Sequence, residues 1–181
     1  MNSIYIYDGS FQKGDAGFFM IRGAAARHCL ESGIPFDAAR AKIVRDEKGK
    51  PYFEDYPLEF SLTHSGSLWM CMFSSQPCGL DLQVIRDCDH EKISARYYKP
   101  EEQKYVEENG LEGFFDVWVR KEAYCKMTGE GLFGADMPSV LADSGVFAGK
   151  EYHFQDVEIA DDMRCAVCTG PEAEIELRVL A

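Results

Sequence analysis

The sequence lacks several features that would assign it to a common class of protein. Its apolar runs fall far short of the roughly 20 residues that a membrane-spanning helix needs, so we predict no membrane association. Basic residues are few, since 19 Lys and Arg stand against 31 Asp and Glu, and the net charge is −12. This balance argues against binding nucleic acid. The first residues also lack the basic-then-apolar pattern of a secretory signal, and we therefore expect cytoplasmic residence.

Cysteine is present, but without the pattern of a disulfide framework or a zinc site. The seven cysteines are an odd number and are scattered along the chain, which favours free thiols in a reducing compartment. The pair Cys165 and Cys168 forms a CxxC motif without a second pair to complete a zinc site, and it lies in a stretch typical of a strand. The sequence also lacks the Gly-x-Ser-x-Gly, Walker and His-Glu-x-x-His motifs.

The hydrophobic pattern predicts an α+β protein in two successive halves. Helices are predicted over 20–32, 87–98, 100–109 and 111–127, and short strands over 4–7, 43–44, 51–53, 60–62, 68–73, 78–84, 140–141, 152–154, 164–168 and 175–180. The strands 68–73 and 78–84 are separated by a turn and are interpreted as a hairpin. The order of these elements predicts two halves, residues 1–84 and 85–181, that meet near residue 84.

A local basic patch interrupts the acidic chain. Between Arg40 and Lys50, five basic residues offset only Asp46 and Glu47. This patch is either a solvated surface or a site for an anionic ligand. His64 poses the same choice, because the small hydroxyl residues and glycine around it suit contact with an anion, while a lone loop histidine also occurs without any function.

Two acidic residues stand in patterns that suit chemistry. Asp81 and Gln83 share one face of the predicted strand 78–84, where a carboxylate needs a metal, a cation or water as a partner. Trp118, Glu122 and Lys126 are spaced by four residues and form one stripe on a predicted helix. Each pattern also has an ordinary interpretation, a hydrogen-bonded structural Asp in the first case and an i,i+4 ion pair in the second.

Four blocks follow one another along the chain. They are Gly49-Lys50-Pro51-Tyr52, residues 60–66 around His64, Gly79-Leu-Asp81-Leu-Gln83, and Trp118-Val-Arg-Lys121-Glu122-Ala-Tyr-Cys-Lys126. In this order and spacing the sequence resembles the 4′-phosphopantetheinyl transferases of the surfactin-synthetase-activating type. Three further segments are similar to that family: 75–77, 129–132 and 163–168. The resemblance covers about residues 20–170.

The resemblance implies a cytoplasmic monomeric enzyme with two similar halves related by a pseudo-twofold axis and an active site at their interface. It implies transfer of 4′-phosphopantetheine from coenzyme A to a serine of an acyl or peptidyl carrier protein, with release of 3′,5′-ADP. Asp81 and Glu122 would hold Mg²⁺ against the pyrophosphate, with Gln83 as a third candidate ligand. Lys126 would lie near the pyrophosphate and assist departure of the ADP, so Asp81, Glu122 and Lys126 are the expected catalytic residues.

The resemblance also implies a coenzyme A site. His64 would contact a phosphate, and Gly49, Lys50 and Pro51 match part of the nucleotide site. Larger relatives place basic and hydroxyl residues ahead of the first helix, where this chain is largely apolar. Either Arg22, Arg27 and the basic patch hold the nucleotide here, or coenzyme A binds differently.

Two interpretations of the function remain at this point. Many bacterial members have Glu where this chain has Gln83, and this departure, with the thin nucleotide site, favours a degenerate, non-catalytic protein that binds coenzyme A or a carrier. The presence of Asp81, Glu122, Lys126 and His64 together favours an active enzyme. Phosphoryl transfer needs charge neutralisation, positioning and a base, and Glu122 is suited to bind the metal or to take the serine proton.

Overall fold

The computed structural model describes residues 2–131 and 136–180, with backbone only for 179 and 180. The described chain is an α+β protein, as the sequence predicts. Its elements, in order, are β1 (Asn2–Asp8), α1 (Asp15–Ser32), β2 (Ile43–Arg45), β3 (Pro51–Phe53), β4 (Glu59–Ser65), β5 (Leu68–Ser74), β6 (Cys78–Val84), α2 (His90–Tyr97), α3 (Pro100–Thr128), β7 (Ser144–Phe147), β8 (Lys150–Asp156), β9 (Met163–Thr169) and β10 (Ile175–Leu180). No helix in this part of the chain is both long and apolar enough to cross a membrane.

The strands form two four-stranded sheets and one small hairpin. The first sheet has the order β10-β1-β5-β4, the second has the order β6-β9-β8-β7, and β2 pairs with β3. In the first sheet, β1 pairs with β5, the second strand of the β4–β5 hairpin. In the second sheet, β6 pairs in the same way with β9, the second strand of the β8–β9 hairpin. This shared arrangement fits two similar halves, while the division at residue 84 and the twofold axis stay predictions.

The predicted hairpin between β5 and β6 is wrong. Strand β5 pairs with β1 on one side and β4 on the other, so it has no free edge for β6. Strand β6 instead pairs with β9 in the second sheet, and β10 returns to pair in parallel with β1 in the first. The pairing of strands therefore does not follow the predicted boundary at residue 84. Strand β6 precedes the boundary but pairs in the second sheet, and β10 follows it but pairs in the first.

The two sheets pack face to face, and this arrangement decides where Asp81 points. Met70 and Met72 of β5 share one buried cluster with Leu80 and Leu82 of β6. Because side chains alternate along a strand, the residues between those leucines face the opposite side of the second sheet, where α3 packs. Asp81 is therefore directed toward α3.

Side-chain hydroxyls join β4 to β6 where no backbone ladder connects them. The alternating residues Ser61, Thr63 and Ser65, which we call the hydroxyl seam, accept hydrogen bonds from the backbone amides of Leu80, Leu82 and Val84 at 2.9, 3.1 and 2.9 Å. Every second residue of β4 carries a hydroxyl on the face that meets β6. The hydroxyl seam thus sets the register between the two sheets.

Helix α3 is bent and lies very close to β6. Gly110 interrupts it with a φ of 63°, between the two helices predicted from the sequence, and Gly129 ends it in a left-handed conformation. At Gly79 of β6, an added Cβ would lie only 1.8 Å from the carbonyl oxygen of Ala123. Glycine at this position allows the backbone of the helix to rest directly on the strand.

A buried histidine on the inner face of α1, His28, predicts a loss of stability in acid. His28 packs against Tyr5 and Phe73, and its Nδ1 has no hydrogen-bond partner among the described residues. Burial lowers its pKa from 6.5. The unfolded chain therefore binds a proton before the folded one, and the free energy of unfolding should fall by up to about 1.4 kcal/mol per pH unit below pH ~6.5.

The His28→Phe variant should lack this part of the pH dependence, because it keeps an aromatic ring without a titratable nitrogen. Urea unfolding of both proteins at about pH 7.5 and 5.5 measures the difference. Equal pH dependence in the two proteins would show that His28 titrates alike when folded and unfolded.

Candidate active site

Asp81 forms the centre of a buried polar cluster beneath α3. Its side chain is almost fully buried and receives hydrogen bonds on both oxygens. Lys126 donates to Oδ1 at 2.7 Å, Thr63 donates to the same oxygen at 3.2 Å, and Gln83 donates its amide to Oδ2 at 3.3 Å. The shared strand face predicted for Asp81 and Gln83 is present, and the cation that a buried carboxylate needs is Lys126.

The ammonium group of Lys126 is committed to three acceptors. Besides Asp81, it donates to the carbonyl oxygens of Leu80 and Leu62 at 2.9 and 3.2 Å. A lysine has three N–H donors, so these contacts use all of them. Because Leu62 lies on β4 and Leu80 on β6, Lys126 also ties the two sheets together beside the hydroxyl seam.

Glu122 lies one turn before Lys126 on α3 and is half-buried. Burial raises the pKa of its carboxyl group, the negative charge of Asp81 raises it further, and Lys126 partly offsets both effects. Within residues 2–131 and 136–180, the carboxylate has no hydrogen-bond or ion-pair partner. Glu122 is therefore a carboxylate with enhanced affinity for a proton or a cation.

Lys121 and Glu122 are adjacent in the sequence but have opposite roles. Lys121 points into the protein and forms an ion pair with Glu102 at 2.7 Å, with both side chains fully buried. The oxygens of Glu102 also accept hydrogen bonds from the backbone amides of Lys99 and Val140. This pair holds the two parts of α3 together and leaves Glu122 to face the cavity.

A cavity of about 530 Å³ lies between the β2–β3 turn, β4 and the end of α3. Its lining combines glycines, basic residues, two carboxylates and apolar side chains: Arg45, Lys48, Gly49, Lys50, Pro51, Phe60, Ser61, Leu62, Glu122, Cys125, Lys126, Gly129, Glu130 and Gly131. A mixed polar and apolar cleft of this size can hold much of a small ligand.

The β2–β3 turn brings the predicted nucleotide residues to this cavity. Gly49 has a φ of 89°, which favours glycine, and its carbonyl oxygen accepts a hydrogen bond from Arg45 at 2.7 Å. Lys50 donates to the carbonyl oxygen of Met127 at 3.1 Å, near the negative end of α3. Lys50 thus supports the end of α3 as well as lining the cavity beside Pro51.

Two carboxylates in this arrangement suit a divalent cation. Mg²⁺ binds hard oxygen ligands and commonly uses one or two carboxylates together with phosphates and water. Asp81 and Glu122 supply two such groups, and after burial the negative charge of Asp81 is the second cause that raises the pKa of Glu122, with Lys126 partly offsetting it. Among the described residues, no group of three His, Cys, Asp or Glu side chains is placed to hold a metal without help from a ligand.

Comparison with known families decides what this site belongs to. The model of the 4′-phosphopantetheinyl transferase superfamily matches residues 77–168, about half of the chain. The chain belongs to this superfamily. The match begins at the turn before β6 and ends in β9, so it includes Asp81, Gln83, Glu122 and Lys126.

Several curated relatives carry the same family name. The chain is 31% identical over 93 residues to the 4′-phosphopantetheinyl transferase gsp of Aneurinibacillus migulanus, covering 49% of this chain and 38% of that protein. It is 27% identical over 127 residues to Sfp of Bacillus subtilis, covering 67% and 56%. It is 30% identical over 116 residues to HetI of Nostoc, covering 59% and 49%. The chain spans about half the length of the curated relatives it matches.

The phosphopantetheinyl transferase resemblance found in the sequence is thereby confirmed, but its residues are not all brought together. His64 is exposed on β4 and stacks on Phe11, with ring centres 5.7 Å apart, outside the cavity lining. Arg27 pairs with Glu31 at 3.0 Å on α1, and neither Arg27 nor Arg22 lines the cavity. Their assignment to the nucleotide stays a prediction.

Two further segments that resemble the family are 129–132 and 163–168. In the similar segment 129–132, Leu132 lies outside the described residues, while Gly129, Glu130 and Gly131 line the cavity. Cys165 and Cys168 lie buried on β9, within the strand predicted for them, and burial raises the pKa of both thiols.

Thr63 belongs to the candidate site, but no sequence pattern singled it out. Thr63 touches Asp81, yet its block drew attention only through His64. The alternation of hydroxyl residues at 61, 63 and 65 was the available signal, because three small polar residues on one strand face indicate hydrogen bonding along that face. Nothing in the sequence indicated that β6 would be the partner.

Proposed function

We propose that this protein transfers 4′-phosphopantetheine from coenzyme A to a serine hydroxyl of an acyl or peptidyl carrier protein and releases 3′,5′-ADP. The observation that carries the proposal is that Glu122 and Lys126 line one cavity and that Lys126 also binds the buried Asp81. Membership of the superfamily and the names of the relatives support the same reaction.

Glu122 is the proposed base. The serine oxygen attacks the phosphorus that carries the pantetheine group, the bond from that phosphorus to the ADP oxygen breaks, and the serine proton passes to Glu122. The raised pKa and the lack of a described partner suit a carboxylate that accepts a proton during the reaction. When bound, Mg²⁺ held by Asp81 and Glu122 would neutralise pyrophosphate charge.

Lys126 is assigned a holding role in this reaction. The sequence resemblance implies that it assists departure of the ADP, but its three N–H groups already bind Leu62, Leu80 and Asp81. It therefore supplies positive charge next to Asp81 and holds that carboxylate in place. Lys50 and Lys48, which line the same cavity, are better placed to meet phosphate groups.

Mass measurement of carrier proteins tests the proposed function. The protein is incubated with coenzyme A, Mg²⁺ and separate apo fatty-acid, polyketide and peptide-synthetase carriers, and a carrier whose serine is changed to alanine serves as the control. A mass increase equal to one phosphopantetheine on at least one carrier, absent from the serine-less control, is the expected result. No mass increase on any carrier would contradict transfer. The expectation of a cytoplasmic monomer stays a prediction.

The alternative, a non-catalytic protein that binds coenzyme A or a carrier, has one observation in its favour. Gln83 turns its amide nitrogen toward Asp81, so it acts as a donor to the carboxylate and adds no negative charge for a metal. Calorimetric binding of coenzyme A or of a carrier without any change in carrier mass would support this alternative.

Changing Gln83 to Glu should lower the concentration of Mg²⁺ that transfer requires. The new carboxylate would replace a donor that lies 3.3 Å from Asp81 Oδ2, so without metal the two charges repel. With Mg²⁺ the added charge attracts the ion, and we expect the concentration for half-maximal transfer to fall several-fold, which corresponds to about 1 kcal/mol. Mg²⁺ titrations of transfer and of melting temperature compare the two proteins. A midpoint that stays unchanged or rises would show that residue 83 does not face the metal.

A further inference from the structure

The hydroxyl of Thr63 makes two contacts whose directions are fixed by its chemistry. Its oxygen accepts a hydrogen bond from the backbone amide of Leu82 at 3.1 Å, and the same hydroxyl lies 3.2 Å from Asp81 Oδ1. An ionised carboxylate can only accept, so the single hydroxyl proton of Thr63 points at Asp81. Thr63 is also buried, which leaves little room for water to take over this contact.

Thr63 differs in this respect from the other two members of the hydroxyl seam. Ser61 and Ser65 accept from the amides of Leu80 and Val84 at 2.9 Å, as Thr63 does from its own partner. Among the described residues, Thr63 is the member of the seam that contacts Asp81. The seam therefore contains one residue with an added contact to the site, and Ser65, which lies outside the cavity lining, provides a matched control.

The position of Thr63 lets the first sheet orient a carboxylate that belongs to the second. Asp81 lies on β6 and is also bound by Lys126 from α3 and by Gln83 from its own strand. Without Thr63, no contact from a β4 side chain would fix the carboxylate relative to the cavity wall that β4 forms. The branched side chain of threonine further restricts its rotation, so the hydroxyl is held in one direction.

We propose that Thr63 is a positioning residue that holds the Asp81 carboxylate in the orientation that binds a divalent cation. This inference rests on the proposed function, because it assumes that Asp81 serves as a metal ligand. Thr63 touches neither the cation nor the reacting atoms and acts only through Asp81. Loss of a partner that orients a metal ligand typically weakens metal affinity by about 10- to 100-fold.

Mn²⁺ binding measured by electron paramagnetic resonance provides a test that does not depend on transfer. The wild-type protein is titrated with Mn²⁺ in the presence of coenzyme A, next to Thr63→Val, Thr63→Ser and Ser65→Ala. We expect Thr63→Val to raise the Mn²⁺ dissociation constant about 10-fold or more. Thr63→Ser should stay close to wild type, because it keeps the hydroxyl. Ser65→Ala should also stay close, because it loses only a seam contact and lies outside the cavity lining.

The outcomes separate this inference from the function on which it rests. Equal Mn²⁺ affinity in Thr63→Val and Ser65→Ala would overturn the inference, even if the wild-type protein transfers phosphopantetheine. Absence of transfer by the wild-type protein would contradict the proposed function and leave the Mn²⁺ comparison to judge Thr63. Wild-type protein that binds no Mn²⁺ would overturn the inference as well. Should Thr63→Val fail to fold, Thr63→Ala removes the same hydroxyl with a smaller side chain and is judged by the same comparison.

Discussion

Glu122→Gln and Asp81→Asn should each abolish transfer of phosphopantetheine while changing stability in different directions. Both variants remove one of the two carboxylates proposed to hold the metal, and Glu122→Gln also removes the proposed base. Loss of a base alone costs about 10²- to 10⁴-fold in rate, so with the metal site also impaired we expect activity below detection in an ordinary assay.

The stabilities should differ because the two carboxylates have different partners in the folded protein. Asp81→Asn removes the negative charge that Lys126 contacts at 2.7 Å, and hydrogen bonds to charged groups contribute about 1.5–3 kcal/mol. Glu122 has no such partner among the described residues, and its raised pKa shows that the charged form is disfavoured. Glu122→Gln should therefore melt at the wild-type temperature or above it.

Carrier mass measurement and thermal unfolding of the same samples test both parts of this prediction. Glu108→Gln is the matched control, because Glu108 lies on the same helix but is exposed and pairs with the exposed Lys104. It should leave transfer and melting temperature unchanged. Transfer near the wild-type level by either site variant would contradict the metal assignment. A large loss of stability in Glu122→Gln would show that its carboxylate has a partner when folded.

The residues of the candidate site could be found in the sequence because they lie in regular local patterns. Alternation along a strand placed Asp81 and Gln83 on one face, and spacing by four placed Glu122 beside Lys126 on a helix. The break at Gly110 was equally visible, since glycine separates two helical patterns. Each of these inferences depends only on neighbours within a few residues.

The incorrect predictions depend on contacts between distant parts of the chain. The predicted strand at 140–141 is absent, because the amide of Val140 binds Glu102 instead of another strand. Helix α1 begins at Asp15, five residues before the predicted start at Met20, and a Cβ at Gly17 would lie 2.9 Å from the ring of Phe11. Gly17 lowers the helix propensity of this segment, but it allows close packing against Phe11, and the sequence does not reveal that contact.

Gly79 also packs closely, and Gly79→Ala is the substitution for which we expect the largest effect on stability. The new Cβ would lie 1.8 Å from the carbonyl oxygen of Ala123 and 2.6 Å from the backbone nitrogen of Met127. Both are backbone atoms, so no side chain can rotate away and α3 must shift. Overpacking of a core typically costs about 1–3 kcal/mol when side chains adjust, and we expect the upper end of this range or more here.

A control glycine separates this steric effect from the general effect of the substitution. Gly23 lies exposed within α1, and a Cβ there meets no atom within 4 Å. Gly23→Ala should therefore raise stability by about 0.5–1 kcal/mol, because alanine favours the helix. Urea unfolding of the two variants and the wild type measures effects of opposite sign.

Gly79→Ala should also reduce transfer under conditions where the protein remains folded. Glu122 and Lys126 lie on the turns of α3 that rest on β6, next to Ala123 and Met127, so a shift of the helix displaces both from Asp81. A displacement of about 1 Å in an active site can cost 100-fold in rate. Folded Gly79→Ala with wild-type transfer and wild-type stability would mean that α3 and β6 can separate without disturbing the site. In that case, Lys126 could not be the contact that holds Asp81 in place.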